Sequence, residues 1–100
     1  MIRHVVMWKF KNEAEGRTRE ENMEIVRERL YALLPIIPEL KRMEIGCDIS
    51  HTDMSMDLML LTEFESVSDM KNYASHPEHL KVSAYVRGVI ESRVVLDAEI

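Results

Sequence analysis

One hundred residues suffice for one domain, 1–100, with a single modest core. Hydrophobic residues at 46% and charged ones at 31% exclude a disordered chain. Thirteen basic against eighteen acidic side chains give a net charge of −5 with no concentrated basic surface, so nucleic acid is not an expected partner.

The first segment, "IRHVVMWKFK" (2–11), shows no basic-then-apolar leader with a small-residue cleavage site. It alternates instead: Ile2, His4, Val6, Trp8 and Phe10 point one way, Arg3, Val5, Met7, Lys9 and Lys11 the other, which predicts a strand. A polar run, "NEAEGR" (12–17), is expected to be a loop. Thr18 followed by Glu21 forms a capping box, and Met23, Val26, Leu30, Leu33, Leu34 and Ile37 mark an apolar helix face. Pro35 predicts that this helix ends at Leu34. The longest uncharged run, "LYALLPIIP" (30–38), is too short to span a bilayer, so no membrane partner is expected.

"LKRMEIGCDI" (40–49) alternates again, with Met43, Ile45, Cys47 and Ile49 on one side. Cys47 on that apolar face is expected to be buried and inert. As the only cysteine it cannot close an internal disulfide, which fits a reducing, cytoplasmic setting. "SHTDMSM" is expected to be a solvated loop, and "DLMLLTEFE" (57–65) a strand covered on both faces. Ser66 and Asp69 cap a second helix through Met70, Tyr73 and Ala74; Pro77 opens a third, whose apolar face is Val82, Tyr85, Val86, Val89 and Ile90. "SRVVLDAEI" (92–100) closes the chain as a strand.

The order β-α-β-β-α(α)-β is the α+β, ferredoxin-like pattern: a four-stranded antiparallel sheet with helices on one face. The more apolar face of the first strand, with His4, Val6, Trp8 and Phe10, is assigned to the helices. The opposite face carries Val5 and Met7, and the third and fourth strands add apolar atoms there. A patch of that size is more than a monomer usually exposes, which predicts a homodimer paired through the open sheet face.

"NYASHPEHL" (72–80) concentrates the chain's chemistry. A helix beginning at Pro77 puts His79 in its first turn, where the positive end of the dipole lowers the proton affinity of imidazole. His79 is then a neutral general base, and the bend at Pro77 aims Tyr73 into the same space. His4 enters from the first strand, with Val6, Trp8, Val26 and Leu30 as apolar walls of a small pocket. Such a site suits removal of a proton alpha to a carbonyl, Tyr73 donating to the developing oxyanion. The structural alternatives are a capping His76, a half-buried His4 and a Tyr73 that only packs. A metal held by His76 and His79 lacks further ligands at a recognised spacing, so no metal and no cofactor are expected. Isolated Gly16, Gly46 and Gly88 make no phosphate cradle, and no Gly-x-Ser-x-Gly elbow is present.

"MIRHVVMWKFK", "LLPIIPELKRMEIGCDIS", "LTEFESVSDMKNYASHPEHL" and "SRVVLDAEI" together resemble the stress-responsive dimeric A/B barrel (Dabb) family over essentially the whole chain. The resemblance implies a ferredoxin-like subunit whose sheet pairs with a partner's into a dimeric α/β barrel. One plant branch of the family cyclises linear poly-β-ketones by aldol closure, using a tyrosine and a histidine of the Tyr-x-x-His-Pro-x-His string. Carried over, it implies His79 as base and Tyr73 as its partner, with His4, His76, Val6, Trp8, Val26 and Leu30 around the pocket. Val26 and Leu30 stand where that branch is expected to carry bulkier aromatics, and Trp8 where an aliphatic residue is expected. Two main functions stay open, acid–base chemistry on a small, apolar carbonyl compound and non-catalytic, stress-related binding by the dimer, with a metal-dependent version using His76 and His79 as a weaker third.

Overall fold

Period-two alternation builds β1 (Ile2–Phe10), whose Ile2, Val6, Trp8 and Phe10 are buried while Met7 is exposed on the other side. The computed structural model describes residues 1–100. The polar run expected to be a loop is a miniature hairpin, β2 (Glu13–Ala14) paired with β3 (Arg17–Thr18). Glu15 (φ 54°) and Gly16 (φ 71°) both take left-handed backbone, as a two-residue turn matched to strand twist requires.

Thr18 then opens α1 (Arg19–Tyr31) with both halves of the capping box: its Oγ1 accepts from Glu21 N at 3.2 Å, and Glu21 Oε1 accepts from Thr18 N at 2.9 Å. The helix stops at Tyr31, short of the expected Leu34. Leu33 N donates to Leu30 O and Leu34 N to Tyr31 O, so the chain winds on in tighter three-residue turns before Pro35. These turns still bury Leu33 and Ile37 but leave Leu34 exposed.

β4 (Arg42–Cys47) and β5 (Leu58–Phe64) follow, then α2 (Val67–Ser75), α3 (Pro77–Val89) and β6 (Ile90–Glu99). The four long strands form one antiparallel sheet in the order β4-β5-β1-β6, the ferredoxin-like arrangement. Register sorts its faces. His4 lies opposite Thr62 and Asp97, and Trp8 opposite Leu58 and Arg93, on the helix side. Val5 lies opposite Leu61 and Leu96, and Met7 opposite Met59 and Val94, on the open side.

The core sits between sheet and helices, where Phe10, Val26, Ile37, Phe64 and Val89 have no solvent exposure. Asn22, also fully buried, accepts from Tyr85 Oη at 2.6 Å and donates to Ala14 O at 3.0 Å, tying α1 to α3 and to the hairpin. Cys47, expected to be buried, is exposed at the end of edge strand β4. Asp57, expected to open the strand, lies just before β5, and its Oδ2 accepts from Phe10 N at 2.7 Å, pinning the end of the preceding loop to β1. No helix is long and apolar enough to cross a membrane.

Candidate functional site

Two helices meet at His76. Its N–H donates to Tyr73 O at 3.1 Å, closing α2, and its Nδ1 accepts from Glu78 N at 3.1 Å, capping α3. Proline at 77 forces the extended backbone seen here (φ −62°, ψ 134°), so the chain turns sharply between the helices. Three residues on, the His79 ring turns back to Ala74 O at 3.0 Å. A carbonyl only accepts, so Nδ1 carries the proton and Nε2 is the nitrogen with a free lone pair.

The same bend sets the His79 ring against Tyr73, centroids 4.4 Å apart and planes at 49°. Tyr73 packs on its other flank against Phe64 at 5.1 Å. Burial pushes the phenol pKa above its ordinary value, so Tyr73 is a hydrogen-bond donor at any physiological pH. Its hydroxyl is buried with no partner, as is Trp8 Nε1. For His79, burial is also the main cause of a pKa below the usual imidazole value; the charges of His4, Arg93 and His76 act in the same direction, and the bond to Ala74 opposes them. The neutral base expected from the helix dipole thus has another main cause, the partial burial of the ring, which outweighs the opposing bond to the carbonyl end of α2.

His4 enters from β1 and pairs through Nδ1 with the carboxylate of Asp97 directly across the ladder. A cavity of about 80 Å³ is lined by His4, Val6, Trp8, Leu30, Tyr73 and His79, all expected, and also by Leu60, Val82, Val86, Arg87, Ile90 and Arg93. It borders an outer chamber of about 200 Å³ that shares His4, Tyr73, His79 and Arg93. Two expected residues lie outside. Val26 is fully buried in the core, a turn of α1 away from Leu30, and His76 has committed its Nδ1 to the helix cap. Arg93 went unnoticed because its facing follows only from register: once His4 opposes Asp97, Trp8 must oppose Arg93.

A larger hollow of about 450 Å³ lies elsewhere, lined by Met7, Met54, Met56 and Met59 with Cys47 and Asp48. There Asp48 Oδ2 accepts from His51 N at 2.7 Å, which lowers its pKa and locks the loop rather than preparing a reactive group. Nowhere do three or more His, Cys, Asp or Glu side chains cluster as a metal site would need. Reactive groups, orphaned donors and cavity coincide only beside Tyr73.

The sequence profile of the stress responsive A/B barrel domain matches residues 2–100. The chain belongs to that family. Olivetolic acid cyclase of Cannabis sativa is 27% identical over 99 residues, covering 96% of this chain and 93% of the cyclase. A dimeric protein of unknown function and ferredoxin-like fold from Bacteroides fragilis superposes with a TM-score of 0.81 at 26% identity, over 99% of this chain and 95% of that one. Hydroxynitrile lyase from Passiflora edulis superposes with a TM-score of 0.84 at 22% identity, over 99% of this chain and 92% of the lyase, a likeness of fold. Family membership accounts for the ferredoxin-like architecture; chemistry has to be argued from the cavity.

Proposed function

We propose that this A/B barrel protein acts as a cytoplasmic homodimer that binds a small, largely apolar carbonyl compound and performs acid–base chemistry on it without a cofactor. The observation that carries this reading is the unpartnered, buried Tyr73 hydroxyl beside the His79 ring on the wall of a partly open cavity. Burying a hydroxyl without a partner costs about 1–3 kcal/mol, a cost that a bound carbonyl oxygen offsets.

In this reading His79 Nε2 takes the proton alpha to the carbonyl; the C–H electron pair moves into an enolate whose oxygen accepts from Tyr73 O–H. The enolate carbon then attacks a second carbonyl in the same molecule, and the imidazolium returns its proton to the alkoxide formed. Proton count and charge balance without a further reactant. Similarity to a relative named as a cyclase accords with such a ring closure. An inner space of about 80 Å³ selects a short substrate or one end of a longer one.

Pairing through the open sheet face is supported by Met7, Val94 and Leu96, which are 39%, 45% and 64% exposed on that side. The likeness to a dimeric ferredoxin-like protein points the same way. A non-catalytic binding role is the second reading, favoured by the packing of Tyr73 onto Phe64, which a purely structural ring would also show.

The test is α-proton exchange of 2,4-pentanedione in D₂O, followed by NMR. Wild type is expected to accelerate exchange, and His79→Ala to return it to the buffer rate. Binding with no acceleration selects the non-catalytic role; absence of binding removes both readings.

A further inference from the structure

The charges around the cavity are one-sided. Its inner chamber is lined by two guanidiniums, Arg87 and Arg93, and two imidazoles, with no carboxylate. Arg87 donates to Ser83 Oγ at 3.0 Å, whereas Arg93 forms no ion pair and no side-chain hydrogen bond. Arg93 lines the outer chamber as well, together with Lys71. The one acid there, Asp97, is taken by His4. Arg93 is an exposed residue that lines both chambers, so its guanidinium is open to solvent and to a ligand and has no protein partner.

We infer that the cavity takes a small oxo-carboxylate, its carboxylate held by Arg93 and its keto oxygen reaching the orphaned Tyr73 hydroxyl. This inference rests on the acid–base reading of the site and names the substrate class. Three donor groups ask for acceptors: Tyr73 Oη and Trp8 Nε1, both buried and unpartnered, and the free guanidinium of Arg93. A neutral ketone supplies an acceptor for a buried donor but leaves the charge unmatched. A carboxylate matches guanidinium in shape as well as sign, through two parallel hydrogen bonds. In a 3-oxo acid held by its carboxylate at Arg93, the acidic carbon is the one between the two carbonyl groups, and His79 and Tyr73 line the same cavity. The anion also screens Arg93 from His79 and so raises the proton affinity of the base when substrate is present.

The test compares acetoacetate with methyl acetoacetate, which differ in the negative charge and one methyl group, by NMR titration of wild type, Arg93→Gln and Arg93→Lys. The expected result is preference for the acid on the order of tenfold in wild type. Arg93→Gln should bring the acid-to-ester ratio of Kd close to one, and Arg93→Lys should restore part of it. Perturbed His79 and Tyr73 resonances locate binding in the cavity. Equal affinity for acid and ester in wild type, or a ratio unmoved by Arg93→Gln, overturns the inference while leaving the acid–base reading intact. Failure of both compounds to perturb His79 overturns both.

Discussion

The imidazole of His79 lies 4.4 Å from the phenol of Tyr73, centroid to centroid, across a proline that divides two helices. On an unbroken helix, at about 100° per residue, side chains six positions apart point some 120° away from one another. The break at His76–Pro77 makes the pair: Tyr73 ends one helix, His79 begins the next, and the ring turns back to the carbonyl of Ala74. A backbone discontinuity thus does what helical periodicity cannot, and the proline belongs to the site although it touches no ligand.

Tyr73→Phe separates chemistry from packing. The hydroxyl makes no hydrogen bond, and the ring keeps its contacts with Phe64 and His79. Removing an unsatisfied buried polar group should raise stability by about 1 kcal/mol, read by urea unfolding. If Tyr73 donates to an oxyanion, α-proton exchange should fall by about 10²-fold in the same variant. A variant that is less stable and fully active would show a hydroxyl that is structurally satisfied.

His76 has the opposite profile. Its Nδ1 caps α3, so His76→Ala should cost about 1 kcal/mol, while His76→Asn, which supplies a capping oxygen, should recover most of it. Neither change should alter exchange kinetics by more than a few-fold, since the residue lines neither chamber of the cavity. Loss of activity in the stable His76→Asn protein would return His76 to the site.

What the sequence made legible follows from range. Capping at Thr18 and Glu21, the helix start at Pro77 and the alternation of residues 2–10 are set by neighbours within a few positions, and the fold follows from their order. The hairpin at 13–18 escaped because two-residue strands have no period to read. The exposure of Cys47 goes with its place at the end of an edge strand, which the alternation of residues 40–49 does not record. Most of the cavity wall was within reach because His4, Val6, Trp8 and Leu30 follow from strand parity and helix spacing. Val26 was misplaced because residues on one helix face share a direction without sharing a depth. Arg93 required the register of β6 against β1, a pairing about ninety residues apart in sequence.

Gly88→Ala probes the end of α3. The residue is helical with negative φ, and an added Cβ would meet only the tip of Glu15 at 3.3 Å, a flexible side chain able to swing aside. Helix propensity then favours alanine by up to about 1 kcal/mol, visible as a higher unfolding midpoint in urea. Destabilisation would mean that Glu15 is held in place more firmly than its position on an exposed turn implies.

Leu96→Glu tests the open sheet face. Leu96 is 64% exposed, so the substitution should leave the subunit's circular dichroism unchanged. In a dimer paired through this face it buries an unmatched carboxylate next to Val5, its neighbour across the ladder. Wild type should sediment as a dimer and Leu96→Glu as a monomer at micromolar concentration. A Leu96→Glu protein that still sediments as a dimer would place the interface elsewhere.

The pH dependence of activity and stability should carry the same signature of His79. Its folded pKa is lowered, chiefly by burial, so the base form fills as pH rises through a value below the ordinary 6.5 and is complete at neutrality. The pH profile of kcat/KM should therefore rise on its acid limb below about 6.5 and then level off. For stability, the unfolded chain binds a proton to this histidine more readily than the native state does. The stability that the part-buried neutral ring contributes is thus fully present above about pH 6.5 and is lost as pH falls through the folded pKa. His79→Gln removes the titrating group and should flatten that part of the stability curve, while Tyr73→Phe leaves it in place. Parallel curves for wild type and His79→Gln would assign the slope to another group and leave His79 with an ordinary proton affinity, unsuited to the role of a prepared base.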